Sequence, residues 1–433
     1  MSLAETITQR ILGERDARFA ALKLPREFVA PNYGGRSIVN VPSSIVRIFG
    51  GKMSTPPLDP AIVKDFSRGV ERVVLVIADA LGYARAIQAL ERNGHNGFHL
   101  LLRNGGCIVP ITSVFPSTTT AALTSLWSGY TPAEHGFMGY VLFLREYGVR
   151  AQMIGFNPLV TDRLGNEQLI ASGLDPDKFV AVSSLPQTLD RYDVPVYNLI
   201  EQAFVKSALS RAQIRGQKET RGFVTSSDMW AVLRAWLEEH KLKRALFVAY
   251  WSKIDTLAHH YGPSSETIIG EFDNFAFSFE REFLRRLSPA ARDGTLFILT
   301  SDHGQIDTPP DQTVYLRDHP VLRDRLQMSF TGDPRAIYLH ARSGEADAVR
   351  EYVEKHLARQ FFMLDSQEAL RSGLFGGGKH APETRYRIGD LILLPRGHQI
   401  LWDRNDAPKM LGRHGGLGAQ EMLAPLIVSR LDG

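Results

Sequence analysis

Three apolar runs, each followed by an acidic residue, constrain the fold of this chain more than any other feature. They are VVLVIAD, ALFVAYWSKID and TLFILTSDHG, which lead to Asp79, Asp255 and Asp302. A continuous apolar run bounded by turn residues is typical of a strand buried on both faces. Carboxyl ends of such parallel strands form one crevice. The sequence therefore predicts an α/β fold with a doubly wound, mostly parallel central sheet, helices on both faces, and three carboxylates at one edge.

The chain is long enough, at 433 residues, for one large α/β domain with an insertion. After the TPP break at residues 308–310, a strand-helix-strand-helix pattern predicts a small α+β insert over residues 311–390. The following DLILLPRG is expected to return to the main sheet. Residues 1–310 and 391–433 then form the catalytic domain, and its weakly periodic segment 141–240 is expected to cover the carboxyl edge with helices and loops.

The amino-acid composition argues against several classes of function and kinds of site. The net charge of +3 supplies no basic excess for specific nucleic-acid or membrane-surface binding. Cys107 is the only cysteine, which excludes an intrachain disulfide and a thiolate metal cage. The N-terminal segment is too charged for a signal peptide, and no apolar run is long enough to cross a membrane. We expect a cytoplasmic location with no membrane partner.

Histidines accompany the acidic residues. Asp255 and His259 share a face if they lie on a helix, Asp302 is followed by His303, and His414 lies in GRHGGLG. Neighbouring carboxylates repel one another unless cations lie between them. Asp and His ligands without cysteine fit Zn²⁺ best, with Mn²⁺ or iron as alternatives. Two divalent cations beside three carboxylates leave a net charge of about +1, which suits an anionic substrate.

The stretch FPSTTTAALTSLWSGYTPAEHG, residues 115–136, places three threonines in front of an apolar helix. Threonine is a common helix cap, so a purely structural role is the simpler alternative. A hydroxyl at a helix N-terminus also lies where the helix dipole favours negative charge. Beside metal ions, such a hydroxyl can act as a nucleophile toward phosphorus.

This ordered set of motifs resembles the alkaline phosphatase superfamily, most closely its type I phosphodiesterase and nucleotide pyrophosphatase branch. The similarity covers roughly residues 70–140, 245–305 and 390–430. Aligning the family's Phe-Pro-Thr-x-Thr and Gly-x-x-Pro-x-x-His-Gly patterns without gaps places the nucleophile at Thr119. The resemblance further implies two metal sites, the first formed by Asp255, His259 and His414 and the second by Asp79, Asp302 and His303.

The implied reaction cleaves a phosphodiester or pyrophosphate bond of a small substrate in two steps. Thr119 attacks phosphorus and forms a phospho- or nucleotidyl-threonine, which water then hydrolyses. The sequence departs from the family where an asparagine should bind a phosphoryl oxygen, because Tyr140 stands there. A phosphonate or phosphomonoester hydrolase with the same metal ligands, or a metal-binding homologue without turnover, are the alternatives. A sulfatase is disfavoured because its C/S-x-P-x-R motif is missing.

Two other residues have both a functional and a structural interpretation. Lys253 precedes Asp255 and could contact phosphate, although a solvated lysine is the simpler interpretation. His380, in the predicted insert, could enter the site, but an isolated histidine has many structural roles.

Overall fold

The computed structural model describes residues 2–13, 17–159 and 167–433, which form a mixed α/β structure built on two seven-stranded sheets. In chain order the strands are β1 (Arg72–Ala78), β2 (Cys107–Thr112), β3 (Val141–Leu144), β4 (Val149–Gln152), β5 (Asn157–Pro158), β6 (Val196–Glu201), β7 (Glu219–Phe223), β8 (Ala245–Trp251), β9 (Thr295–Thr300), β10 (Ile306–Asp307), β11 (Thr313–Tyr315), β12 (Thr331–Asp333), β13 (Ala336–Leu339), β14 (Phe361–Asp365), β15 (Leu391–Pro395), β16 (Ile400–Trp402), β17 (Gly412–Arg413) and β18 (Leu423–Arg430).

The α-helices of six or more residues in the same part of the chain are α1 (Leu3–Gly13), α2 (Asn40–Ile48), α3 (Tyr83–Arg92), α4 (Gly97–Arg103), α5 (Thr119–Ser128), α6 (Leu185–Asp190), α7 (Ala208–Gln213), α8 (Ser226–Glu239), α9 (Lys253–Tyr261), α10 (Glu266–Ser278), α11 (Pro320–Arg325), α12 (Ala346–His356) and α13 (Ser366–Arg371). In the described residues, no helix is both long and apolar enough to cross a membrane.

The central sheet has the order β2-β18-β9-β1-β8-β6-β7, and only β18 runs against the other strands. Every residue of β1 is buried, as its apolar sequence predicts. Alternate side chains of β1 pack on opposite faces, Val73, Leu75 and Ile77 in one core and Val74, Val76 and Ala78 in the other. This burial of both faces by helices confirms the predicted α/β fold class.

The second sheet is antiparallel, with the order β14-β15-β13-β12-β3-β4-β5. The expectation that DLILLPRG returns to the main sheet is therefore wrong, because β15 pairs with β13 and β14. A strand inside an antiparallel sheet that is covered on both faces has the same continuous apolar sequence as a central parallel strand. The division of the chain into a catalytic domain and an insert remains a prediction.

The expectation for residues 141–240 is also wrong in part. This segment contains helices, but β3, β4 and β5 join the second sheet and β6 and β7 complete one side of the central sheet. Polar residues within β6 and β7, such as Asn198 and Glu219, interrupt the apolar runs by which buried strands are detected.

Candidate metal centre and nucleophile

Two strands of the central sheet form a first group of side chains, the buried cluster of Asp79, Asp302 and His303. Asp79 directly follows β1, while Asp302 and His303 follow the neighbouring strand β9. Nε2 of His303 lies 3.6 Å from Oδ1 of Asp79 and 3.4 Å from Oδ2 of Asp302. The three side chains are almost completely excluded from solvent. They can each offer one ligand atom to a common point.

The unpaired oxygens of the buried cluster fit a cation. Oδ1 of Asp79 and Oδ2 of Asp302 are buried without a hydrogen-bond partner. Burial, followed by the charges of Asp302 and Asp255, raises the pKa of Asp79 well above its ordinary value. A buried carboxylate without a partner is strongly destabilising. A divalent cation between these oxygens would remove that penalty.

Helix α9 and the loop after β17 form a second group, the open cluster of Asp255, His259 and His414. Asp255 and His259 lie one turn apart on α9, with Oδ1 to Nε2 at 3.2 Å, and Nε2 of His414 lies 3.8 Å from the same oxygen. Their side chains keep 18%, 19% and 10% of their surface exposed, respectively. They too can offer their ligand atoms to one point.

The two clusters adjoin each other. The rings of His303 and His414 stack with centroids 3.8 Å apart. Burial and the charge of His303 lower the pKa of His414 well below its ordinary value, which favours a neutral ring. Burial opposes ionisation of Asp255, but the charge and hydrogen bond of His259 outweigh it and lower the pKa of this carboxyl. The open cluster thus holds an ionised carboxylate beside a neutral imidazole, both suitable as metal ligands.

Backbone carbonyls orient all three histidines in the same way. The Nδ1 atoms lie within hydrogen-bond distance of carbonyl oxygens, in the pairs His303 with Gly304 (3.0 Å), His259 with Gly412 (2.8 Å) and His414 with Ser117 (3.1 Å). When the ring is neutral and Nδ1–H donates to a carbonyl, the lone pair resides on Nε2, which is the atom facing the carboxylates. Such contacts are typical of metal-binding histidines.

The three consecutive threonines at the start of α5 use their hydroxyls differently. Thr118 precedes the helix and donates from Oγ1 to Oδ1 of Asp333 (3.3 Å). Thr119 is the first helical residue, and its Oγ1 lies 3.1 Å from Nε2 of His303. Thr120 donates to the carbonyl of Gly139 (2.9 Å). Of the three, Thr119 is the one whose hydroxyl contacts the buried cluster, at a helix N-terminus that favours negative charge.

Tyr140 lies beside the threonines. Its backbone N–H donates to Oδ2 of Asp333 (3.1 Å), so that Asp333 links Tyr140 to Thr118. The close approach of Gly139 to β12 makes this possible, because a Cβ on Gly139 would lie 2.9 Å from Cα of Gly332. The tyrosine hydroxyl has no hydrogen-bond partner among the described residues.

Sequence reasoning missed three residues around the site, of which two donate hydrogen bonds to the clusters and the third, Asp333, links Thr118 to Tyr140. Tyr250 donates from its hydroxyl to Oδ2 of Asp79. Gln305 donates from Nε2 to Oδ1 of Asp255 (2.5 Å). Two signals in the sequence could have identified them. Tyr250 is a hydroxyl-bearing residue inside the apolar run of β8, and Gln305 is a polar residue directly after the DHG tripeptide. Asp333 had no comparable local signal.

Neither Lys253 nor His380 has the surroundings that a role in the site would require. Nζ of Lys253 forms an ion pair with Oε2 of Glu201 (2.6 Å), so this lysine is already neutralised. His380 is exposed and belongs to neither cluster.

A comparison with protein families gives a match that covers most of the chain. The model of the type I phosphodiesterase / nucleotide pyrophosphatase family matches residues 73–417. A search of curated proteins finds no match.

Solved structures share the fold at low sequence identity. Murine ectonucleotide pyrophosphatase / phosphodiesterase 5 is 16% identical, with a TM-score of 0.62 over 82% of this chain and 87% of that chain. An inactive threonine-to-alanine variant of that murine protein in complex with AMP gives 16% identity and a TM-score of 0.61 over 83% and 88%. Phosphonoacetate hydrolase from Sinorhizobium meliloti 1021 in complex with phosphonoformate is 18% identical, with a TM-score of 0.59 over 82% and 89%.

Proposed function

The chain belongs to the type I phosphodiesterase / nucleotide pyrophosphatase family of the alkaline phosphatase superfamily, and we propose that it cleaves phosphodiester or pyrophosphate bonds through Thr119 with two metal ions. The observation that carries the proposal is the 3.1 Å contact between Oγ1 of Thr119 and Nε2 of His303. It sets the threonine hydroxyl beside the buried cluster and distinguishes Thr119 from its neighbours.

The two clusters would hold one divalent cation each, most suitably Zn²⁺. Bound there, the cations would supply Lewis-acid charge that lowers the pKa of the nucleophile and neutralises the phosphoryl oxygens. Asp79, Asp302 and His303 would hold the ion nearer Thr119, and Asp255, His259 and His414 the other.

The protein's own residues position the nucleophile and favour negative charge beside it. Helix α5 fixes Thr119 at its N-terminus, where the first backbone N–H groups and the helix dipole favour an anion. Its hydroxyl would attack phosphorus and release the leaving group, which leaves a phospho- or nucleotidyl-threonine for water to hydrolyse. The murine neighbour gives this assignment support, since its inactive variant lacks a threonine and was solved with AMP.

A phosphonate hydrolase is the second candidate. A solved structure with the same fold belongs to phosphonoacetate hydrolase and was obtained with phosphonoformate. The same nucleophile and ligands would serve a carbon–phosphorus bond, so substrate preference distinguishes the two candidates.

The test compares bis-p-nitrophenyl phosphate, p-nitrophenyl phosphate and phosphonoacetate as substrates of the zinc-loaded enzyme. We expect the diester to be cleaved faster than the monoester, and Thr119→Ala to lose at least about 10³-fold in kcat. Thr118→Ala is the matched control and should retain most of the activity. Equal losses in the two variants would contradict the assignment of Thr119, and exclusive turnover of phosphonoacetate would favour the second candidate.

A further inference from the structure

Arg413 is a buried cation that forms no ion pair with any residue that the structure describes. The residue is 7% exposed, and it lies between Gly412, whose carbonyl orients His259, and the proposed ligand His414. Its guanidinium makes no hydrogen bond or ion pair within the described part of the chain, and its Nε is fully buried. A buried charge without a partner is costly, so its position calls for an anion.

The surroundings of Arg413 place it on the nucleophile side of the site. Its guanidinium carbon lies 4.9 Å from the ring centroid of Trp402, a contact that holds the group by a cation–π interaction. The charges of Arg413 and Asp333 act on each other, and Arg413 also interacts with Tyr140. Asp333 accepts a hydrogen bond from the hydroxyl of Thr118, the residue before Thr119, and so links the neighbourhood of Arg413 to the start of α5.

Asp333 neutralises the positive charge of Arg413 only in part. Burial raises the pKa of Asp333 to about 7, although Tyr140, Thr118 and Arg413 oppose this rise, so the carboxyl is partly neutral near physiological pH. An arginine guanidinium remains protonated throughout the physiological pH range, so Arg413 contributes a positive charge here. The Tyr140 hydroxyl is a second donor here without a described protein acceptor.

We propose that Arg413 and Tyr140 form an anion subsite that binds a second negatively charged group of the substrate, either phosphoryl or carboxylate. This inference rests on the proposed function and narrows its substrate class. The planar guanidinium can donate two parallel hydrogen bonds to a phosphate or carboxylate, and the tyrosine adds one more. The enzyme then prefers substrates with an additional anionic group, such as a nucleoside diphosphate or a phosphonocarboxylate, over simple diesters with one negative charge.

The test measures binding without turnover. Isothermal titration calorimetry in the zinc-loaded Thr119→Ala background gives Kd values for ADP, for phosphonoacetate and for the singly charged bis-p-nitrophenyl phosphate. Arg413→Gln should weaken binding of a ligand with a second anionic group, ADP or phosphonoacetate, by about 10- to 100-fold, and that of the singly charged diester by less than about threefold. Arg413→Lys, which keeps the charge but loses the planar fork, should lie between.

Arg404→Gln is the matched control. Arg404 lies 5.7 Å from the same Trp402 ring centroid but is exposed. If Arg413→Gln weakens the binding of ADP alone, the subsite binds phosphoryl groups. If it weakens the binding of phosphonoacetate alone, the subsite binds carboxylates. Equal weakening of all three ligands by Arg413→Gln, or equal effects of Arg404→Gln and Arg413→Gln, would overturn the proposal. Zinc content and melting temperature identify a misfolded Arg413→Gln protein, in which case the same comparison of ligands is made with Arg413→Lys.

These binding results are independent of the identity of the nucleophile. If Thr119→Ala retains full turnover, the proposed function fails whatever Arg413 binds. If Thr119→Ala is inactive and Arg413→Gln binds all three ligands like its parent, only the subsite fails.

Discussion

The buried cluster and the open cluster adjoin each other, yet they differ in charge and in access to water. The buried cluster contains two carboxylates and one imidazole, all with almost no exposed surface. The open cluster contains one carboxylate and two imidazoles, with 10% to 19% of each side chain exposed. A divalent ion would be neutralised in the buried cluster but would keep a net charge of about +1 in the open one. One cluster suits tight retention of a cation and the other suits attraction of an anion.

Substitution in the buried cluster should have the largest effect. Asp302→Asn removes one of two negative charges that a buried cation requires, and we expect kcat to fall by at least about 10³-fold with loss of one metal per chain. Metal analysis after gel filtration, together with diester cleavage, measures both quantities. Unchanged zinc stoichiometry would refute the ligand role of Asp302.

Substitution in the open cluster should act mainly on metal retention. His259→Gln removes a ligand at a site that water reaches, and we expect the affinity for one metal to fall by about 100-fold while the second metal remains bound. Titration with a chelator, followed by metal analysis, checks this. The wild-type protein should lose its metals in two stages. Simultaneous loss of both metals would contradict a difference in metal affinity between the two clusters.

Asp333 is a buried carboxyl that belongs to neither cluster. Its substitution should change how the stability of the protein depends on pH. Its pKa rises from 3.8 to about 7 through burial, opposed by Tyr140, Thr118 and Arg413, with Glu421 adding to the rise. A folded-state pKa above the unfolded value means that the carboxyl contributes stability below about pH 4, which is lost as the pH rises toward 7. Between pH 5 and pH 8, wild type should therefore lose about 2 kcal/mol relative to Asp333→Asn.

Urea unfolding of both proteins at these two pH values measures the difference. Asp390→Asn, at an exposed carboxyl, is the control and should parallel wild type. A stability difference between wild type and Asp333→Asn that does not change with pH would show that Asp333 ionises normally.

The smallest effects should come from the two side chains that support the clusters. Tyr250→Phe removes the hydrogen bond to Asp79, and Gln305→Leu removes the one to Asp255. We expect each to reduce metal affinity by about 10-fold, with Tyr250→Phe acting on the buried metal and Gln305→Leu on the open one. Competition with a fluorescent zinc indicator gives the affinities, and identical profiles for the two variants would contradict separate sites.

Three strands of the main sheet and the two clusters were accessible from the sequence because their signals are local. β1, β8 and β9 are continuous apolar runs, and five of the six clustered side chains follow them within a few residues. Their role as metal ligands, like that of Thr119 as nucleophile, stays a prediction. The surroundings of Tyr140 were not accessible, because Asp333 and Arg413 reach it through strand pairings between distant segments. Sequence periodicity describes a strand but does not identify its partner.

The position of β18 has a consequence for how the molecule is made. This strand lies between β2 and β9 inside the central sheet, and the loop before it carries His414. During synthesis on a ribosome, Asp79 and Thr119 emerge long before His414 and β18, so the early sheet has a gap and the open cluster lacks one of its three side chains. A nascent chain is therefore unable to complete the central sheet and the open cluster until β18 has emerged. If hydrolysis needs both clusters, activity would then arise in a single step once β18 is in place, rather than growing with the length of the chain.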